Sequence, residues 1–325
     1  MSHLLSAVKF ALLGALLLTG AWNCRKDVDE FRPYVYPASQ ASIALLLDQV
    51  TPPATVTAFV LKGLTHDTLL TTPGGIRIGL TDTEELFANT NNEPVAVSTC
   101  QNLQVIVTEV LSKSDLLARG IHTAIHPGGQ LLESGGIVNV QITCDGSPLQ
   151  LLPNRSLKVQ VPANELKSDM LAFQEAEPGN PDFSGWQATG DPAYLAEWVN
   201  DASVLHGYEL YPSQLGWVGA GRPLPEATSQ LCVQLPTGMT DQTARVFLVF
   251  KGFASVVSLP YDAATQSFCF DQAPEGYPVQ VVVISKLGAD YWLGHQETEI
   301  GTNTSFYLEP HKTTEADLLA FLKNL

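Results

Sequence analysis

"GGIVNVQITCDGSPLQLL", residues 135–152, decides how the chain is read. Val138, Val140 and Ile142 alternate with Asn139, Gln141 and Thr143. A period of two puts one set on one face of a strand, where a helix would scatter it. Asp145-Gly146 then supplies a two-residue turn of the kind that tolerates positive φ, so the run folds back as a hairpin.

The same signature continues outward on both sides. "NLQVIVTEVL" (102–111) places Leu103, Val105 and Val107 on one face, and "RSLKVQVP" (155–162) does so with Leu157, Val159 and Val161. "DTLLTTPGGIRIGL" (67–80) reads as two strands about Thr72-Pro73-Gly74-Gly75. "ASIALLLDQV" (41–50) is a short helix or strand ended by the following prolines. Short alternating strands separated by turn residues predict a β-sandwich over residues 41–163. Residues 164–225 change character. They hold a loop rich in Pro, Gly and acids, together with Trp186, Trp198, Trp217, Tyr208 and Tyr211, and read as an irregular aromatic-rich insert. β character returns over 226–310 in "SQLCVQLP", "ARVFLVFKGFASVVSLP", "QSFCFDQ" and "VQVVVISKLGADYWLGHQETEI". "TTEADLLAFLKNL" within 311–325 predicts a short C-terminal helix with Thr314 as its cap and Asp317 three residues on. The expectation is therefore an all-β chain: two β-sandwich domains joined by an irregular insert, with a short C-terminal helix.

Charge narrows the partners. Of 325 residues, 33 are acidic and 17 basic, a net charge of −16, so a phosphate backbone would be repelled and no nucleic acid is expected. Residues 1–23 read as a signal peptide. Lys9 gives a weakly positive start, and the apolar run Phe10 to Leu18 is too short to span a bilayer. Cys24 follows at the position where bacterial lipoproteins are cleaved and acylated. The other readings are ordinary cleavage after Ala21 and an uncleaved anchor. Residues 24–40, beginning "CRKDVDE", read as a tether, with the membrane as partner through the acyl chains. The five cysteines support lipidation: without Cys24, an even set remains, Cys100, Cys144, Cys232 and Cys269. The pairing Cys100–Cys144 and Cys232–Cys269 keeps each bridge within one expected domain; four free thiols are the other reading.

The candidates for chemistry are few. Lys113 and Asp115 form a potential pair, but "SKSDLLARG" reads as a turn or one helical turn between strands, capped by Ser112 or Ser114. His122 and His126 are four apart, yet no acid lies between them and Pro127-Gly128-Gly129 follows at once. No nucleophile elbow, zinc spacing or calcium loop is present in the sequence, so neither a catalytic residue nor a metal or cofactor is expected. Trp186, Trp198, Tyr208, Tyr211 and Trp217 are the candidate ligand contacts, because such rings suit protein and sugar partners alike. Plugging the junction between two sandwiches is the competing role for them.

Gly74-Gly75, Glu109, Ser112-Lys113-x-Asp115 and Leu132-x-Ser134-Gly135-Gly136 resemble a module of uncharacterised Bacteroidetes envelope lipoproteins. That module is similar to the β-sandwich domain of ankyrins and netrin receptors. "GYELYPSQLGWVGAGRP" (207–223) and "ARVFLVF…FCFDQAPEGYPVQVVVIS" resemble later parts of the same lipoproteins. The resemblance implies an envelope location, here expected at the outer membrane, a sandwich architecture and no obvious enzyme. "RKDVDE" is similar to the tether that sends some of these proteins to the outer face of that membrane; a linker facing the periplasm is the alternative. The functional expectation is a structural or protein-interaction role for an anchored envelope protein, or else a carbohydrate-binding surface module.

Overall fold

Alternation along the strands builds the architecture seen here in a computed structural model. The structure describes residues 56–81, 83–178, 185–200, 203–224, 228–302 and 304–325, all within one compact unit. The signal peptide, Cys24, the tether and the segment 41–50 lie outside the described residues.

The chain is all-β, with four main sheets. The first runs in the order Val56–Leu61, Leu103–Val110, Leu132–Cys144, Gly216–Pro223, Leu171–Glu175, Trp186–Pro192. The second runs Tyr194–Asn200, Ser203–Leu210, Lys158–Pro162, Arg77–Leu80, Thr68–Thr71. They face each other across a core of Val105, Val107, Val138, Val140 and Val218 on one side and Ile78, Leu80, Val159, Val161 and Tyr208 on the other. This is the expected sandwich, and the expected faces of 102–111 and 155–162 point into it. Asp145 and Gly146 both have positive φ, 50° and 86°, and the turn at Thr72–Gly75 closes with the Gly75 N–H donating to the Thr72 carbonyl at 3.0 Å.

The third sheet runs Tyr261–Asp262, Ser267–Pro274, Thr228–Gln234, Thr304–Tyr307, and the fourth Val256–Leu259, Ala244–Phe250, Pro278–Leu287, Asp290–Glu299, His311–Thr313. The central strands of the fourth sheet, Ala244–Phe250 and Pro278–Leu287, are buried on both faces. Phe247, Val249, Val282 and Ile284 enter one core, while Val246, Leu248, Val281 and Val283, pointing the other way, are also buried. "FLVF" and "VVVI" are uninterrupted apolar runs for that reason.

The same rule joins the two halves. Val110, Ile137 and Phe173, opposite in parity to the sandwich core, and Leu132, whose side the irregularity between Ser134 and Ile137 reverses, occupy the outer face of the first sheet and pack against Phe247, Val249, Val282 and Ile284. Helix α1 (Lys113–Ala118) adds Leu116 and Leu117, and helix α2 (Glu315–Lys323) adds Leu318 and Leu322. Burying one such side chain stabilises by roughly 1.5–3 kcal/mol. Ser112 caps α1 and Thr314 caps α2, each accepting from the backbone N–H three residues on at 3.1 Å. Both bridges form as expected, Cys100–Cys144 and Cys232–Cys269. They close loops of 44 and 37 residues, worth roughly 4 kcal/mol each if chain entropy dominates.

One expectation fails. Residues 164–225 are not an irregular insert, since five strands run through them and complete both sheets of the first sandwich. Leu171–Glu175 and Gly216–Pro223 pair within the first sheet, and Tyr194–Leu210 is a hairpin edging the second. Glycines in the segment serve close approach between strands. A Cβ on Gly219 would lie 2.8 Å from the Gly136 carbonyl and 2.9 Å from Ile137 Cγ1.

Candidate functional site

The sequence elements quoted for the family resemblance meet in space. Gly74, Ser112, Lys113, Ser134, Gly135 and Gly136 all line one cleft of about 580 Å³, between the end of the first sandwich and the loop Lys251–Ala254 of the second half. Glu109 explains part of this convergence. Its buried carboxylate accepts from the Thr72 hydroxyl and from the backbone N–H groups of Ile76 and Gly74, so it pins the Gly74-Gly75 turn. Burial pushes its pKa up against these hydrogen bonds. Gly136 has φ +114°, and a Cβ there would lie 2.6 Å from Val161 Cγ1, so the Gly-Gly pair allows a strand irregularity rather than cradling a ligand.

Lys113 and Asp115 separate into different roles. The Asp115 carboxylate accepts from the Ser112 N–H at 3.0 Å and completes a capping box. Lys113 turns toward the second half, where its Nζ donates to the Lys251 carbonyl at 3.2 Å. Desolvation, then the positive charge of Lys251, holds its pKa below the usual lysine value. Lys251 pairs with Glu297 at 2.8 Å. On the opposite wall, Glu133 is 5% exposed and is held by Lys167 and by Arg222 Nη2 at 2.5 Å. Arg222 also binds Asp169 at 2.9 Å, which raises the Arg222 pKa and lowers that of Asp169.

The five candidate aromatic contacts do not form one platform. Trp186 is buried in the core between the halves, its Nε1–H donating to the His122 carbonyl at 2.9 Å. Trp217 packs, half-buried, against the same core. Trp198 is buried and donates to the Gly75 carbonyl at 3.0 Å. Tyr208 is fully buried in the sandwich core and its oxygen accepts from the Lys167 N–H at 2.7 Å. Burial raises its pKa. The polar handles of Trp186, Trp198 and Tyr208 are thus satisfied within the protein, and these three rings plug the interior. Tyr211 alone stays exposed. It donates to Glu209, which raises its pKa to about 12. The irregular-insert assumption hid this, because a ring on a sheet interior needs its strand identified first.

His122 and His126 lie on an extended segment beside Trp186, and His126 faces Glu177 at 3.8 Å. No group of three metal-binding side chains occurs among the described residues. Lys251, Lys167 and Glu133 carry no motif in the sequence. The available signal was "FKGFAS", a glycine-flanked lysine interrupting two apolar strands.

Exposed apolar side chains gather on the Tyr194–Leu210 hairpin. Val199 and Val204 are direct cross-strand partners, 56% and 57% exposed, and Leu195 is 53% exposed. No family model matches the chain. The search of curated proteins likewise found no match.

Proposed function

We propose that this chain is a lipid-anchored protein of the bacterial outer membrane, acylated at Cys24, with a structural or protein-interaction role. The observation that carries the reading is the cysteine pairing. Two bridges use Cys100, Cys144, Cys232 and Cys269, which supports an oxidising compartment and leaves Cys24 as the odd residue. The Bacteroidetes-like module elements agree with it, since they serve one local construction around Glu109 and Ser112. The hairpin strip at Leu195, Val199 and Val204 supports an interaction role, because a monomer has little reason to leave neighbouring apolar side chains uncovered.

Metabolic labelling with a palmitate analogue tests the anchor: label is expected on the wild type and absent from Cys24→Ala. A Cys24→Ala protein that stays labelled sinks it. A photo-crosslinker placed at Val204 tests the interaction surface. A discrete adduct to one envelope protein is expected, and lost in Val199→Lys.

A carbohydrate-binding module is the second reading, and a shallow groove on the outer face of the second sheet favours it. Arg77, Lys158, Gln160 and Glu197 line its 410 Å³. Lys158, Gln160 and Tyr211 all converge on Glu209 nearby. A glycan array showing binding that Tyr211→Ala abolishes would favour this reading over the first.

A further inference from the structure

We infer that the cleft at the end of the first sandwich is a binding site for a small organic anion, carboxylate or phosphate, held by Lys113 and Lys251. The inference concerns the cleft alone and stands whether or not Cys24 is acylated.

Charge is the first ground. In a chain with 33 acids and 17 bases, an arbitrary lysine is expected to find a carboxylate. Lys113 does the reverse. It is half-buried, its ammonium donates to a backbone carbonyl, and among the described residues its nearest charge influence is another lysine. Lys113 and Lys251, 138 positions apart, both line the cleft; the Lys251 ammonium also pairs with Glu297 at 2.8 Å, so Lys113 is the cation without a carboxylate partner among the described residues. A partly desolvated, uncompensated cation costs free energy that a bound anion recovers. Burial, and after it the Lys251 charge, holds the Lys113 pKa below the usual lysine value.

The cleft's shape is the second ground. At about 580 Å³ it has the size of a small-molecule site. Of its lining carboxylates, Glu133 is held by Lys167 and Arg222, and Glu165 is outnumbered by Lys113 and Lys251. Ser134 offers a hydroxyl beside the lysines, and Leu111 and Phe253 offer an apolar wall for the carbon part.

Two sources supply this chemistry: a free organic anion and an anionic lipid head group. Isothermal titration of the full-length protein would use hexanoate and hexyl phosphate as soluble probes. Phosphatidic acid vesicles, set against phosphatidylcholine vesicles, would report the lipid source. At least one anionic probe is expected to bind and raise the melting temperature. Binding is expected to be roughly tenfold weaker in Lys113→Met, which keeps the apolar stem. Lys251→Met, at an exposed loop position, repeats the test without risk to the core. Ligand protection of Lys113 from acetylation gives a readout that a purely structural lysine would not show. Soluble binding identifies a free solute, and binding to the acidic vesicles alone identifies a head group. No binding by any probe at millimolar concentration, or binding unchanged in both variants, overturns the proposal.

Discussion

Two cores of similar chemistry hold this protein, and they are assembled in different ways. The sandwich core between the first and second sheets collects the inward residues of strands with regular alternation, such as Val105, Val107, Val159 and Val161. The junction core collects what those strands have left over: Val110, Ile137 and Phe173 from the opposite face, two short helices, and Trp186. The first is made by a pattern within each strand. The second depends on which distant surfaces meet, and it uses bulky rings and helices to fill a gap whose shape no single strand sets. Hydrogen bonds follow the same division. Thr123 on one side of the junction bonds the Ser255 hydroxyl at 2.5 Å and the Val256 carbonyl at 3.1 Å on the other.

If the junction is a core of the same rank, Trp186→Ala should cost roughly 3–5 kcal/mol, measured by urea denaturation. Unfolding should remain a single transition. A loss below about 1 kcal/mol, or two transitions, would mean the halves fold as separate bodies. Leu318→Ala, which removes the α2 anchor, should cost about 2–4 kcal/mol and speed amide exchange in the fourth sheet before the second. Thr314→Ala is expected to cost about 1 kcal/mol, since it removes only the cap of that helix.

The smallest effect is pH-dependent. Glu175 is buried at the rim of the junction beside Trp186, with the Trp217 N–H as a hydrogen-bond donor, and desolvation raises its pKa. A raised folded-state pKa favours the protonated form. Its contribution is therefore fully present below the ordinary glutamate value and is lost as pH rises through the folded value. Glu175→Gln should thus raise the urea midpoint at neutral pH and match the wild type near pH 4. A variant less stable than the wild type at neutral pH would show that the carboxylate is held favourably.

The candidate site was half visible beforehand. "SKSDLLARG" shows a capped turn with Ser112 or Ser114 as the cap, because a cap is a local arrangement within four residues; the structure selects Ser112 and adds the Asp115 half of the capping box. Its lysine was assigned to the same local structure, because nothing nearby in sequence reveals Lys251. The aromatic residues were visible as a group, but their burial depended on 164–225 being strand. Gly and Pro mark turns and close approaches alike, and that segment contains both.

Sequence alone carried the all-β class, the Thr314 cap, the Asp145-Gly146 turn and the even set of four cysteines, because each rests on short-range periodicity or simple counting. Only the tertiary structure decided that 164–225 completes the first sandwich and that Trp186 belongs to the junction. It also decided that Lys113 and Lys251 share a cleft. These depend on which strand edges and faces remain unfilled once the rest has packed, a property of the assembled surfaces rather than of any one stretch.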